Sequence, residues 1–137
     1  MELPAPLREA VDEVLQGIPA AELARAAEAL SSRYRAERRD GRRHVDDDAA
    51  ALAYLATRLP ATYAAIQASL AGLAETCPDF APRSLLDVGA GPGTAFWAVA
   101  ERWPLLEEAL LVEESPVMRR WGERLAARAA REAPIAA

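Results

Sequence analysis

The segment LLDVGAGPGT, Leu85 to Thr94, sets a short apolar run directly against three glycines at alternate positions. Leu85-Leu86-Asp87-Val88 suits a buried parallel strand, because a strand covered on both faces carries a near-continuous hydrophobic run. Gly89, Gly91 and Gly93 then predict a tight turn at which residues without side chains let a ligand approach the backbone. Thr94 to Trp103 follows as a helix with Phe96, Ala100 and Trp103 inward, stopped by Pro104, and its free first-turn amides favour an anionic group. Ala109 to Val112 reads as a second buried strand. Ser115 can cap and Pro116 can open a further helix that presents Val117, Trp121 and Leu125 to the sheet. A β-α-β-α order implies a parallel, right-handed crossover.

Glu113 stands at the end of that second strand, where this topology places a carboxylate able to accept hydrogen bonds from ribose hydroxyls. The glycine turn and Glu113 both open onto the carboxyl edge of neighbouring strands, so one ligand can touch both. The spacing is G-x-G-x-G, with Thr94 where a dinucleotide site would carry its third glycine, so nicotinamide cofactors are disfavoured.

Upstream, residues 4 to 76 read as helix throughout. Leu7, Val11, Val14, Leu15 and Ile18 mark one amphipathic face before Gly17 and Pro19. Leu23, Ala26, Ala27, Leu30 and Tyr34 mark a second, which runs out into the charged loop Arg38-Arg39-Asp40-Gly41-Arg42-Arg43. Asp46, Asp47 and Asp48 supply a cap and first-turn negative charge for a third helix carrying Leu52, Leu55 and Leu59, which Pro60 breaks or kinks. A fourth carries Tyr63, Ile66, Leu70 and Leu73 on its inner face and ends at Cys77-Pro78.

Composition narrows the chemistry. The 137 residues carry a net charge of -5, which argues against a uniformly basic coat for nucleic acid. All 16 basic residues are arginine, so neither a Schiff-base lysine nor a phosphate-reading P-loop lysine is available. The single cysteine, Cys77, forms no internal disulfide and no multi-cysteine metal site, and suits a reducing cytoplasm. With neither a secretory signal nor a long apolar stretch, the chain reads as soluble and cytoplasmic, without a membrane partner. His44 has no partner at metal-ligand spacing, and Trp97, Trp103 and Trp121 sit where helices place core groups.

The same residues carry a family resemblance. LLDVGAGPGT resembles motif I of class I S-adenosylmethionine-dependent methyltransferases, and LLVEES at Leu110 to Ser115 resembles their motif II. More narrowly, RLPATYAAI at Arg58 to Ile66, followed by DFAPRSLLDVGAGPGTAFWA at Asp79 to Ala98, resembles the ribosomal small-subunit methyltransferase-like family of bacteria and mitochondria. The resemblance implies that Asp87 and the backbone of Gly89, Ala90, Gly91 and Gly93 hold the methionine end of S-adenosylmethionine, and that Glu113 binds its ribose. It implies no catalytic residue within this chain, since the adenine-contacting acid, the substrate-facing motif and the metal-binding cysteines of such proteins follow later strands.

The expectation is therefore an α/β chain. A helical region spans 1–78, and 79–137 forms the first half of a Rossmann-like domain, which leaves an apolar face to be covered by the rest of the domain or by self-association. The expected role is that of a ribosome-associated methyltransferase-like protein that acts on or helps assemble small-subunit rRNA. The alternatives are a non-catalytic RNA-binding or ribosome assembly factor that keeps the scaffold, and a small-molecule methyltransferase. Arg38, Arg39, Arg42 and Arg43 are the candidate contacts to RNA phosphates, against the plainer reading of a solvated helix end.

Overall fold

A computed structural model describes residues 2–36, 45 and 47–129. Arg38, Arg39, Arg42, Arg43 and His44 lie outside the described residues, as does Asp46.

Helix α1, Ala5–Leu15, starts after Pro4 and ends where Gln16 turns extended and Gly17 adopts φ +83°. Helix α2, Ala20–Arg35, starts after Pro19, with Glu22 in its first turn and Arg33 and Arg35 in its last, each sign matching the helix dipole. Of its expected inner face only Leu30 is fully buried, while Ala26, Ala27 and Tyr34 pack at the rim of the core. Helix α3, Asp48–Ala53, is capped by Asp47, whose Oδ1 accepts from the Ala50 N–H at 2.7 Å.

The expected break at Pro60 takes another form. The chain stays helical through a π-helical segment, Tyr54–Arg58, in which the Leu59 N–H bonds back five residues to the Tyr54 carbonyl, and then enters helix α4, Leu59–Thr76. Pro60 has no N–H to donate and its ring crowds the carbonyl four residues back. A locally widened turn absorbs both defects without ending the helix. On α4 the inner positions are Tyr63 and Gln67, whereas Leu73, expected inside, is exposed. Gln67 is buried because all its polar groups are used: its amide nitrogen donates to the Tyr63 hydroxyl and the Ala98 carbonyl at 3.0 Å, and its oxygen accepts from Arg102 at 3.1 and 3.2 Å.

Strand β1, Ser84–Val88, and strand β2, Glu108–Val112, pair in parallel from Ser84 opposite Glu108 to Val88 opposite Val112, with helix α5, Thr94–Arg102, between them in sequence. Helix α6, Pro116–Ala129, follows, and the Ser115 hydroxyl accepts from the Met118 N–H at 3.3 Å. Both strands were expected to be buried, but only one face of this two-stranded sheet is covered. Leu85 and Ala109 touch the core, while Leu86 is 64%, Val88 74% and Leu110 62% exposed. Alternate residues of a strand point to opposite faces, and among the described residues the core packs against the face that carries Leu85 and Ala109.

One core joins the two expected regions. Leu7, Val11, Leu30, Leu55, Leu59 and Tyr63 meet Phe96, Trp97, Met118, Trp121 and Leu125 in a single cluster. Trp97 and Trp121 are core groups as expected; Trp103 is half-buried at the end of α5, edge-on to Phe80 with ring centroids 5.4 Å apart. Trp121 also donates to Asp48 at 3.0 Å, and Arg120 donates to the same oxygen at 2.7 Å, so α3 and α6 are tied by polar contacts as well as by packing.

Candidate functional site

Glycines are required in the turn after β1 by its backbone. Gly93 has φ +91°, and a Cβ there would meet Leu111 Cδ2 at 3.3 Å. A Cβ on Gly91, at φ +56°, would lie 3.5 Å from Met118 Cε and 4.0 Å from the Tyr54 hydroxyl. The turn is closed by its own amides: Gly89 and Ala90 donate to the Val112 carbonyl at 2.7 and 3.0 Å, and Gly93 donates to the Ala90 carbonyl at 3.0 Å. Its N–H groups are thus engaged internally, and what the turn offers a ligand is close approach. Packing from below is equally tight, since a Cβ on Gly122 of α6 would sit 3.1 Å from the Pro92 carbonyl oxygen.

Glu113 lies beside the turn. Its Oε2 accepts from the Gly91 N–H at 2.6 Å and its Oε1 from the Ser115 N–H at 2.8 Å. A carboxylate has about four acceptor positions, so each oxygen keeps one for a hydroxyl donor. Asp87, in β1, is half-buried, and its Oδ2 is enclosed without a hydrogen-bond partner. Burial, then the nearby charge of Glu113, raises the Asp87 pKa above its usual value. Thr94 Oγ1 is likewise buried without a partner, and Gly93 at the helix N-cap has no side chain for the first-turn amides of α5. The structure therefore brings Asp87, Gly89, Ala90, Gly91, Gly93 and Glu113 together around one turn. The unmet groups suit a ligand bearing hydroxyls, a cationic group and an anionic group. Of these groups Glu113 lines a cavity of 230 Å³, whose other walls include Gly91, Gly93, Trp97, Leu111 and Arg119. Small-molecule sites usually span roughly 300–1,000 Å³, so these walls can enclose part of a cofactor.

Two residues packed near this region escape a reading of the sequence. Tyr54 and Arg58 lie four apart on the π-helical segment. The Tyr54 hydroxyl approaches Gly91, and the Arg58 guanidinium stacks 3.8 Å from the centre of the Tyr34 ring. The available signal was a polar pair at helical spacing directly ahead of Pro60. Among the described residues no group of His, Cys, Asp or Glu is arranged to hold a metal, and no helix is long and apolar enough to cross a membrane.

The raised Asp87 pKa has a consequence for stability. A carboxyl whose pKa is higher folded than unfolded opposes folding once ionised, so its penalty is absent below 3.8 and develops as pH rises through the raised value. Asp87→Asn is expected to stabilise the free protein at pH 7, the gain shrinking as pH falls toward 3.8, in urea denaturation followed by circular dichroism. A gain independent of pH would show that charge is not the cause.

Comparison with known proteins places this geometry in a family. The chain is 33% identical over 75 residues to the human protein named ribosome assembly protein METTL17, mitochondrial, a match that covers 54% of this chain and 16% of that relative. The chain thus matches about a sixth of the length of that curated relative. A family model described as mitochondrial small ribosomal subunit Rsm22 matches residues 48–135, from the first residue of α3 past the end of α6 and so across the whole of the site. On that match the chain belongs to the Rsm22 family, the ribosomal methyltransferase-like family that its glycine turn and Arg58–Ile66 segment resemble.

Proposed function

We propose that this chain forms the S-adenosylmethionine-binding part of a class I methyltransferase-like protein that works on the small ribosomal subunit, acting on its rRNA or assisting its assembly. The reading rests above all on the meeting of Asp87, with one oxygen unpartnered, and Glu113, with acceptor positions to spare, across a glycine turn. Asp87 faces the ammonium of the methionine end, the backbone of Gly89, Ala90, Gly91 and Gly93 lets the ligand close on the sheet, and Glu113 takes the ribose hydroxyls. When bound, the cofactor supplies an activated methyl group. Arg38, Arg39, Arg42 and Arg43 are the proposed contacts to rRNA phosphates. The bare sheet face around Leu86 and Leu110 is proposed to be covered by the rest of such a domain or by a second copy. The exposed thiol of Cys77 suits a reducing compartment, either the cytoplasm or the mitochondrion of the family's description.

One observation favours a second reading. Glu113 already has a structural task, holding the Gly91 and Ser115 amides, so the turn is complete without a ligand and the fold can serve as a scaffold for assembly alone. Calorimetric titration with S-adenosylhomocysteine separates the two. Saturable binding that weakens at least about tenfold in Asp87→Ala supports the cofactor reading. The absence of binding leaves the scaffold.

A further inference from the structure

The amino-acid end of such a ligand carries a carboxylate as well as an ammonium, and beyond the first-turn amides of α5 and the Thr94 hydroxyl the turn offers the former no charged donor. The N–H groups of Gly89, Ala90, Gly91 and Gly93 are all engaged, and the two nearest acidic groups, Asp87 and Glu113, would repel it. A charged donor comes from elsewhere. Arg119 lines the cavity, but its guanidinium already donates to the Glu113 carbonyl at 2.9 Å. Arg58 differs. Its Nε is buried without a hydrogen-bond partner, and among the described residues no carboxylate pairs with it. A buried guanidinium N–H left unmet carries a desolvation penalty that a ligand would relieve.

We propose that Arg58 receives the carboxylate of the ligand's amino-acid end, completing a clamp in which Asp87 receives the ammonium. The proposal rests on the S-adenosylmethionine reading above. Arg58 lies on the same π-helical segment as Tyr54, four residues before it, whose hydroxyl is near Gly91, and the Tyr34 ring holds the guanidinium at 3.8 Å. Burial and then Tyr54 raise the Tyr34 pKa, which the Arg58 charge lowers and the Glu113 charge raises further. A regular α-helical turn here would rotate Tyr54 and Arg58 relative to the residues after Pro60, so the widened turn sets the direction of the arginine.

Calorimetric titrations with three ligands test the clamp: S-adenosylhomocysteine, its decarboxylated form, and 5′-methylthioadenosine, which lacks the amino-acid end. In the wild type, removal of the carboxylate is expected to weaken binding about tenfold or more, a measurement that requires no variant. Arg58→Gln is expected to weaken S-adenosylhomocysteine by a similar factor and to leave the decarboxylated ligand and methylthioadenosine within about twofold, with Arg58→Lys between. Equal weakening of all three would reduce Arg58 to a packing role. Wild-type affinity that ignores the carboxylate would overturn the clamp while the adenosine site stands. Failure of all three ligands to bind the wild type would remove the cofactor reading and the clamp with it.

Discussion

Glu113→Ala is expected to abolish saturable binding of S-adenosylhomocysteine and to destabilise the free protein by roughly 2–4 kcal/mol, from about 1–2 kcal/mol for each of two charge-assisted bonds to backbone amides. Both effects follow from one side chain serving two ends. Its oxygens hold the Gly91 and Ser115 N–H groups, and so join the turn after β1 to the start of α6, while their remaining acceptor positions face the proposed ribose. Removal of the carboxylate leaves the Gly91 amide without its acceptor. Glu113→Gln separates the roles, because the amide keeps one acceptor oxygen but turns an NH2 toward the other N–H. It is expected to recover about half of the lost stability and little of the binding, read by urea denaturation and calorimetry. Undiminished binding in Glu113→Ala would take this residue out of the site.

Leu125→Ala is expected to lower stability by about 3 kcal/mol, within the range for a leucine truncated in a closed core. Leu125 is fully buried on α6 and, with Met118 and Trp121, fastens that helix to the cluster that α1 and the π-helical segment also enter. Loosening α6 also disturbs the turn, because Gly122 packs against Pro92. Leu110→Ala makes the sharper contrast. The same chemical change in β2, on a side chain 62% exposed, is expected to shift stability by less than about 0.5 kcal/mol. Equal losses in the two variants, measured by thermal and urea unfolding, would show that the sheet face is covered in solution.

Much of the site was legible without coordinates because its determinants are local. An apolar run, glycines that permit positive φ, a strand-ending acid and a serine-proline helix start are readable within a few residues of one another. Parallel pairing then brings Asp87, the turn and Glu113 together whatever the packing around them. The caps of α3 and α6, from Asp47 and Ser115, were readable for the same reason. What failed were statements about burial. Leu73 and Leu86 are as apolar as Leu59 and Leu125, and periodicity marks a face without saying whether a neighbour covers it.

The order of elements, the glycine turn and the acid after the second strand follow from local residue chemistry, since backbone preference and capping act over a few positions. Tertiary structure alone decided three other matters. The first was the single core shared by the helical region and the sheet. The second was Gln67, whose place inside the protein depends on partners as distant in sequence as Ala98 and Arg102. The third was the π-helical segment, which sets the Tyr54 hydroxyl near Gly91 and Arg58 on the Tyr34 ring; there Pro60 left a choice between ending the helix and widening it, and packing against α2 and the core settled it. Each depends on contacts between segments far apart in the chain, whose energies no local pattern encodes.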